Sequence, residues 1–86
     1  ILAIIDIMIS INMLTPQEMR KVIAKNLRTL RLELNLSQQT LSERSGVSYG
    51  SLKKFEQTGE ISLESLLKLA LVLGRIDDFR GLFAPK

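Results

Sequence analysis

Two short helix signals separated by a single glycine constrain this chain more than any other feature. They lie in residues 37–59, SQQTLSERSGVSYGSLKKFEQTG, where Ser37 and Ser48 each precede a run of helix-compatible residues. Serine is a favoured N-cap because its side chain accepts a hydrogen bond from a backbone N–H of the first helical turn. Gly46 supplies the permissive backbone that a tight turn needs. The segment therefore predicts two short helices joined by a turn at Gly46.

This arrangement is the layout of a helix-turn-helix motif, whose second helix lies in the major groove of DNA. Residues 20–54 carry eight bases and two acids, a net charge of +6, whereas the whole chain carries +3. Such a concentration of positive charge is typical of a phosphate-binding surface. The alternative is an ordinary solvated helix face, and charge alone does not decide between the two.

The residue types that are missing restrict the chemistry. The 86 residues include no cysteine and no histidine, which removes thiolate metal ligands and the commonest general base. The serines coincide with helix caps, which explains them without catalysis. A chain of this length suits one small domain. We therefore expect no enzyme activity, no metal site and no cofactor.

Residues 1–14, ILAIIDIMISINML, follow a different pattern. Apolar residues alternate with other residues, which predicts a strand with one buried face. The alternating positions are Ile5, Ile7, Ile9 and Ile11. Since no second strand is predicted, its partner would be the same strand of a second molecule across a two-fold axis. The alternative is a leader that precedes a natural start at Met13. The run is too short and interrupted to span a membrane.

Residues 15–86 predict five helices. TPQE at 15–18 begins the first with a threonine cap, a proline at the first helical position and a capping-box glutamate. Its predicted buried stripe consists of Met19, Ile23, Leu27, Leu30 and Leu34. Ser62 caps a very apolar fourth helix whose leucines are predicted to be core, and a short fifth helix is predicted over about 76–83.

The segments LRTLR, LSQ, GVS, FEQTG and SLESLLKLALVLG follow one another in this order. Their order and spacing resemble the Cro/C1-type helix-turn-helix family, also called the XRE family, over about residues 22–83. The resemblance implies an all-α, five-helix, lambda-repressor-like domain over residues 15–86, in which the second and third helices contact DNA. Residues 1–14, the strand or leader, lie outside the family pattern.

The resemblance also implies roles for individual residues. Gln38 matches a position that contacts backbone phosphate, whereas Tyr49, Gly50 and Lys54 match positions that read base edges. Both lysine and tyrosine side chains can donate hydrogen bonds to acceptors in the major groove. The resemblance further implies phosphate contacts for three hydroxyl residues of the predicted DNA-binding surface, with a lysine nearby; these are Ser48, Ser51 and Thr58, and Lys53.

Two further features follow from the same comparison. Gly50 departs from the family, because relatives often carry a base-reading side chain there; its absence implies either a closer approach to DNA or weaker sequence discrimination. Arg31 and Glu56 match a partly buried salt bridge that ties the first helix to the end of the third. We expect this pair to be structural.

The predicted function is a sequence-specific DNA-binding transcriptional regulator, a repressor that binds double-stranded DNA as a homodimer. We expect a cytoplasmic, nucleoid-associated protein of bacterial or phage origin. The alternative comes from FEQTGEISLESLLKLA, which resembles an antitoxin subgroup of the family. Such antitoxins bind a toxin protein and repress their own operon, so the two functions are compatible. No membrane partner is expected.

Overall fold

The computed structural model describes residues 14–86, and within that range it contains helices and turns but no strand. The elements in chain order are α1 (Pro16–Glu33), α2 (Gln38–Ser45), α3 (Tyr49–Thr58), α4 (Leu63–Val72) and a 3₁₀ helix (Ile76–Phe79). The predicted strand, with Ile5, Ile7, Ile9 and Ile11, lies outside the described residues.

Each α-helix begins at a hydroxyl side chain that accepts a backbone N–H from three residues further on. The four bonds, at 3.0–3.1 Å, run to Thr15 from Glu18, to Ser37 from Thr40, to Ser48 from Ser51, and to Ser62 from Ser65. Each such cap contributes about 0.5–2 kcal/mol relative to alanine. The capping box predicted at Thr15 is only half formed, because Glu18 Oε1 accepts the Thr15 hydroxyl at 3.0 Å.

The core lies between the four α-helices, with α3 packed on α1 and on α2, and α4 packed on α2. Its fully buried large side chains are Leu41, Leu52, Phe55 and Leu69. Smaller or slightly exposed members complete the cluster, namely Ala24, Leu27, Val47 and Leu73. One or two residues from each α-helix therefore hold α3 in place from one side and leave its other side open.

The side of α1 that faces the core differs from the predicted buried stripe. Its buried residues are Ala24, Leu27 and Arg31, whereas Met19, Ile23 and Leu34 are exposed. The cause is a close contact with the end of α3.

Gly59 has φ +80°, and a Cβ placed on it would lie 2.7 Å from the backbone carbon of Arg20. Only glycine allows this approach. The approach turns the side of α1 that carries Ala24 towards the core, and the predicted stripe is therefore wrong at three of its five positions.

The predicted fifth α-helix is also wrong. Ile76–Phe79 forms a 3₁₀ helix, and bonds between residues three apart continue from Leu82 N–H to Phe79 C=O and from Ala84 N–H to Gly81 C=O. Repeated bonds of this type form tight turns, because 3₁₀ geometry is poorer and rarely extends. Phe83, at the end of the predicted helix, is 95% exposed.

The fourth helix is correct in position but not in its buried residues. Ser62 caps it as predicted, and Leu69, Ala70 and Leu73 are buried. Leu63 and Leu71, which were predicted to be core, are exposed. A helix packed on one side can bury only about half of its circumference, so a helix this rich in leucine must expose some of them.

Candidate nucleic-acid interface

A rigid turn sets the angle between α2 and α3. Gly46 adopts the left-handed conformation at φ 77° and ends α2. The Val47 side chain is buried below the turn, and its N–H donates to Ser45 Oγ at 3.1 Å. The Ser42 hydroxyl donates to the Val47 carbonyl. Because side chains of α2 satisfy both backbone groups of Val47, α3 leaves the turn in one defined direction.

Helix α3 has a buried side and an exposed side. Leu52 and Phe55 are buried in the core, whereas the side chains of Lys53 and Lys54 are exposed. Tyr49, at the first position of the helix, is 48% exposed. A Cβ added at Gly50 would meet nothing within 4 Å, so packing does not require glycine there. The exposed side therefore carries a tyrosine and two lysines around a position without a side chain.

Sequence comparison missed one residue of this exposed side. Gln57 is exposed and lies seven residues after Gly50, which places both on the same side of α3. A glutamine amide can bond adenine in a groove or donate to phosphate. The signal available in the sequence was the helical spacing from Gly50; the resemblance included Gln57 as part of FEQTG but assigned it no role.

A buried ion pair anchors α3 to α1. The Arg31 guanidinium contacts Glu56 twice, with Nε to Oε2 at 2.8 Å and an η-nitrogen to Oε1 at 2.8 Å, and its other η-nitrogen donates to Leu36 O at 2.8 Å. Their side chains are only 7% and 3% exposed. Such bidentate geometry is the strong form of the interaction. The pair thus joins α1, the loop before α2, and the last turn of α3.

Gln38 belongs to the same network. Its Nε2 donates to Glu56 Oε1 at 3.1 Å. An amide nitrogen carries two protons, so the second remains available for an acceptor outside the protein. Glu56 therefore orients the amide that the family resemblance assigns to a phosphate contact.

The hydroxyls assigned to phosphate differ in what they have left to donate. Ser48 accepts from the Ser51 N–H and donates to Ser51 Oγ at 2.8 Å. Thr58 accepts from the Glu60 N–H at 3.1 Å and donates to the Lys54 carbonyl at 2.8 Å. The Ser48–Ser51 pair of hydroxyls uses one proton between its members and keeps the other for an outside acceptor, whereas Thr58 would have to break its bond to the Lys54 carbonyl to donate to phosphate.

Lys54 has an acidic neighbour that the sequence analysis did not consider. Its Nζ lies 3.3 Å from Glu60 Oε2, and both side chains are more than half exposed. The Thr58 hydroxyl donates to the Lys54 carbonyl and accepts from the Glu60 N–H, so it links the backbones of the two paired residues. A carboxylate beside a DNA-binding surface repels phosphate and competes for the lysine, so Glu60 would weaken any contact that Lys54 makes with DNA.

Two further basic side chains of this surface, Arg44 and Lys53, have no acidic neighbour among the residues that the structure describes. Within residues 14–86, no carboxylate lies within 4.0 Å of Arg44 or Lys53. The same residues contain no group of three or more metal-ligating side chains. No helix among them is long and apolar enough to cross a membrane. The arrangement can bind anions and donate hydrogen bonds.

An α2–turn–α3 unit with a buried inner side and a basic outer side defines a helix-turn-helix DNA-binding domain. A family model described as helix-turn-helix, HTH_3, matches residues 27–79, which is more than half of the chain. The chain therefore belongs to this Cro/C1-type (XRE) family, a class of DNA-binding domains rather than of enzymes. No curated protein and no solved structure gave a significant match.

Proposed function

We propose that this protein is a transcriptional repressor that binds a specific operator as a homodimer, with α3 of each subunit in a major groove. The observation that carries the proposal is the exposed side of α3, where Tyr49, Lys53 and Lys54 project from a helix fixed by the core and by the Arg31–Glu56 pair. A side chain that is to distinguish bases must be held in one register, and these anchors supply it.

The proposed roles separate reading from positioning. Tyr49 and Lys54 contact base edges, and the open space at Gly50 lets the helix approach them closely. Gln38, Ser48, Ser51 and Thr58 contact phosphates, and Lys53 adds positive charge beside them. Two subunits would then contact half-sites roughly one helical turn, about 34 Å, apart. Occupation of a promoter would block transcription in the bacterial or phage-infected cytoplasm.

The test is fluorescence anisotropy with the DNA upstream of the protein's own gene and with random DNA across a salt series. We expect the upstream DNA to bind about a thousandfold more tightly. The Tyr49→Ala/Lys54→Ala variant should lose this preference, whereas Lys86→Ala, which removes the same charge at an exposed residue outside the helix-turn-helix, should keep it. Equal binding of both DNAs by the unaltered protein would contradict specific recognition at this operator.

The second candidate function is that of an antitoxin. It is supported by the resemblance of residues 55–70 to that subgroup; within them Leu63, at the start of α4, is 65% exposed. Co-purification with the product of a neighbouring gene, together with relief of that product's toxicity, would support it. Normal growth of cells that express the neighbouring gene alone would contradict it.

A further inference from the structure

Helix α4 carries an apolar face that the fold does not use. Leu63 and Leu71 are 65% and 64% exposed, Leu67 is partly exposed between them, and Ile76 continues the same surface after the helix. We refer to these four residues as the leucine face. The spacing of four between the leucines places them along one line of the helix.

The leucine face is not needed to attach α4 to the rest of the domain. Attachment comes from Leu66, Leu69, Ala70 and Leu73, which pack into or against the core from the other side of the helix. Each exposed leucine keeps apolar area in water that burial would stabilise by about 25 cal/mol per Å². A continuous apolar patch with a charged border is typical of a protein–protein contact.

The charges beside the face indicate which partner fits it. Glu64 and Lys68 lie along one edge, with Lys68 Nζ 3.7 Å from Glu64 Oε1 and both side chains at least half exposed. One edge thus carries a negative group followed one turn later by a positive group. If a second α4 packs against this face in the opposite direction, its Lys68 comes near the first Glu64 and its Glu64 near the first Lys68.

We propose that the leucine face is a homodimer interface in which α4 packs antiparallel on α4 of a second copy. Leu67 lies near the two-fold axis, and Leu63 of each copy packs beside Leu71 of the other. Because a two-fold interface uses the same patch twice, each charge pair is made twice. A partner of different sequence would have to supply the reversed charge order, which a second copy provides automatically.

This interface leaves the DNA-binding surface free. Ser65, on the other flank of α4, lies beside Ser51 and Lys54 of α3, and none of the residues of the leucine face lines that region. The inference supplies a contact for the proposed homodimer but does not depend on DNA binding, because association can be measured on the protein alone. A failure of DNA binding therefore leaves it standing.

The test uses two charge reversals in the full chain, measured by sedimentation without DNA. Glu64→Lys gives a copy with two positive edge groups, and Lys68→Glu gives a copy with two negative ones. Each variant alone should dimerise about tenfold more weakly than the unaltered protein, because opposite-charge pairs become like-charge pairs. The two variants mixed together should form a heterodimer about as tightly as the unaltered protein dimerises.

A matched control and an apolar variant complete the test. Glu33→Lys makes the same charge change at the end of α1 and should leave dimerisation unchanged. Leu63→Gln/Leu71→Gln should abolish it, whereas Leu32→Gln, at a leucine about half exposed on α1, should not. All of these positions are exposed, so the substitutions should leave the fold intact. Circular dichroism of every variant checks this.

Three results would overturn the proposal. The first is an unaltered protein that remains monomeric at high concentration. The second is equal dimerisation of all the variants, and the third is failure of the mixed charge variants to associate. If Ile7→Lys in the full chain abolished dimerisation while Leu63→Gln/Leu71→Gln did not, the interface would be the predicted N-terminal strand instead.

Discussion

The two sides of α3 carry ion pairs of the same chemistry in opposite environments. On the inner side, Glu56 binds Arg31 with both side chains less than a tenth exposed; on the outer side, Lys54 meets Glu60 with both more than half exposed. Burial makes the inner pair expensive to break, because either partner alone would be an uncompensated charge in the interior. Water and salt make the outer pair weak and exchangeable. The Arg31–Glu56 pair therefore fixes α3 to α1, whereas the Lys54–Glu60 pair can open and release Lys54 for another partner.

Glu56→Gln should have the largest effect on stability. Arg31 would keep its charge in a buried position without a carboxylate, and we expect the free energy of unfolding to fall by about 3–5 kcal/mol. Urea denaturation followed by circular dichroism measures the change. Arg31→Met/Glu56→Leu should recover most of the loss, because it removes both charges together. A loss below about 1 kcal/mol would show that the inner pair behaves like an exposed one.

Gly59→Ala should come next, because the inner end of α3 approaches α1 at this position. The new Cβ would lie 2.7 Å from backbone atoms of Arg20, and the residue would keep an unfavourable φ of +80°. We expect a loss of about 2–3 kcal/mol from strain and displaced packing. Gly74→Ala is the matched control, since it has a similar φ of +73° but nothing within 4 Å; thermal unfolding should show the smaller loss there.

Gly50→Ala makes the same substitution on the exposed side of α3, where we expect it to raise the stability of the protein instead of lowering it. The position has open space and lies within the helix, so alanine should stabilise the protein by about 0.5–1 kcal/mol. Differential scanning calorimetry measures the gain. If the gain in stability comes with a loss of operator affinity, the open space at Gly50 serves close approach to DNA. Unchanged affinity would mean that the methyl group is accommodated.

Glu60→Gln should change stability least, by less than about 1 kcal/mol, yet it should change DNA binding. Lys54 would lose its competing carboxylate, so affinity for random DNA should rise several-fold. The slope of log affinity against log salt should steepen by about one phosphate contact. Glu33→Gln removes the same charge from the end of α1 and should leave the slope unaltered. An identical slope in both variants would show that Glu60 does not restrain Lys54.

The sequence predicted most accurately those features that depend on neighbouring residues, namely helix caps and turns. Ser37, Ser48 and Ser62 cap the three short helices as predicted, and Gly46 forms the turn. The same local patterns carried the family resemblance, which the match over residues 27–79 confirms. The base-reading and phosphate-contacting roles of individual residues stay predictions, as does the strand over residues 1–14.

The predictions that were wrong depended on distant contacts. Periodicity placed Met19 and Ile23 of α1 in the core, but it could not include the approach of Gly59, almost forty residues away, which sets the rotation of the helix. The fifth helix was predicted from apolar spacing alone. Helices this short are marginal without packing, and the chain settles into 3₁₀ turns instead.

By itself the sequence determined where the α-helices begin and end, because capping and left-handed stops are hydrogen bonds and backbone preferences within a few residues. The tertiary structure alone decided which apolar residues are buried and which charges meet. Leu63 and Leu69 have the same side chain on the same helix, yet one is exposed and the other fully buried. Burial depends on what lies opposite in space, and a residue's own identity does not contain that information.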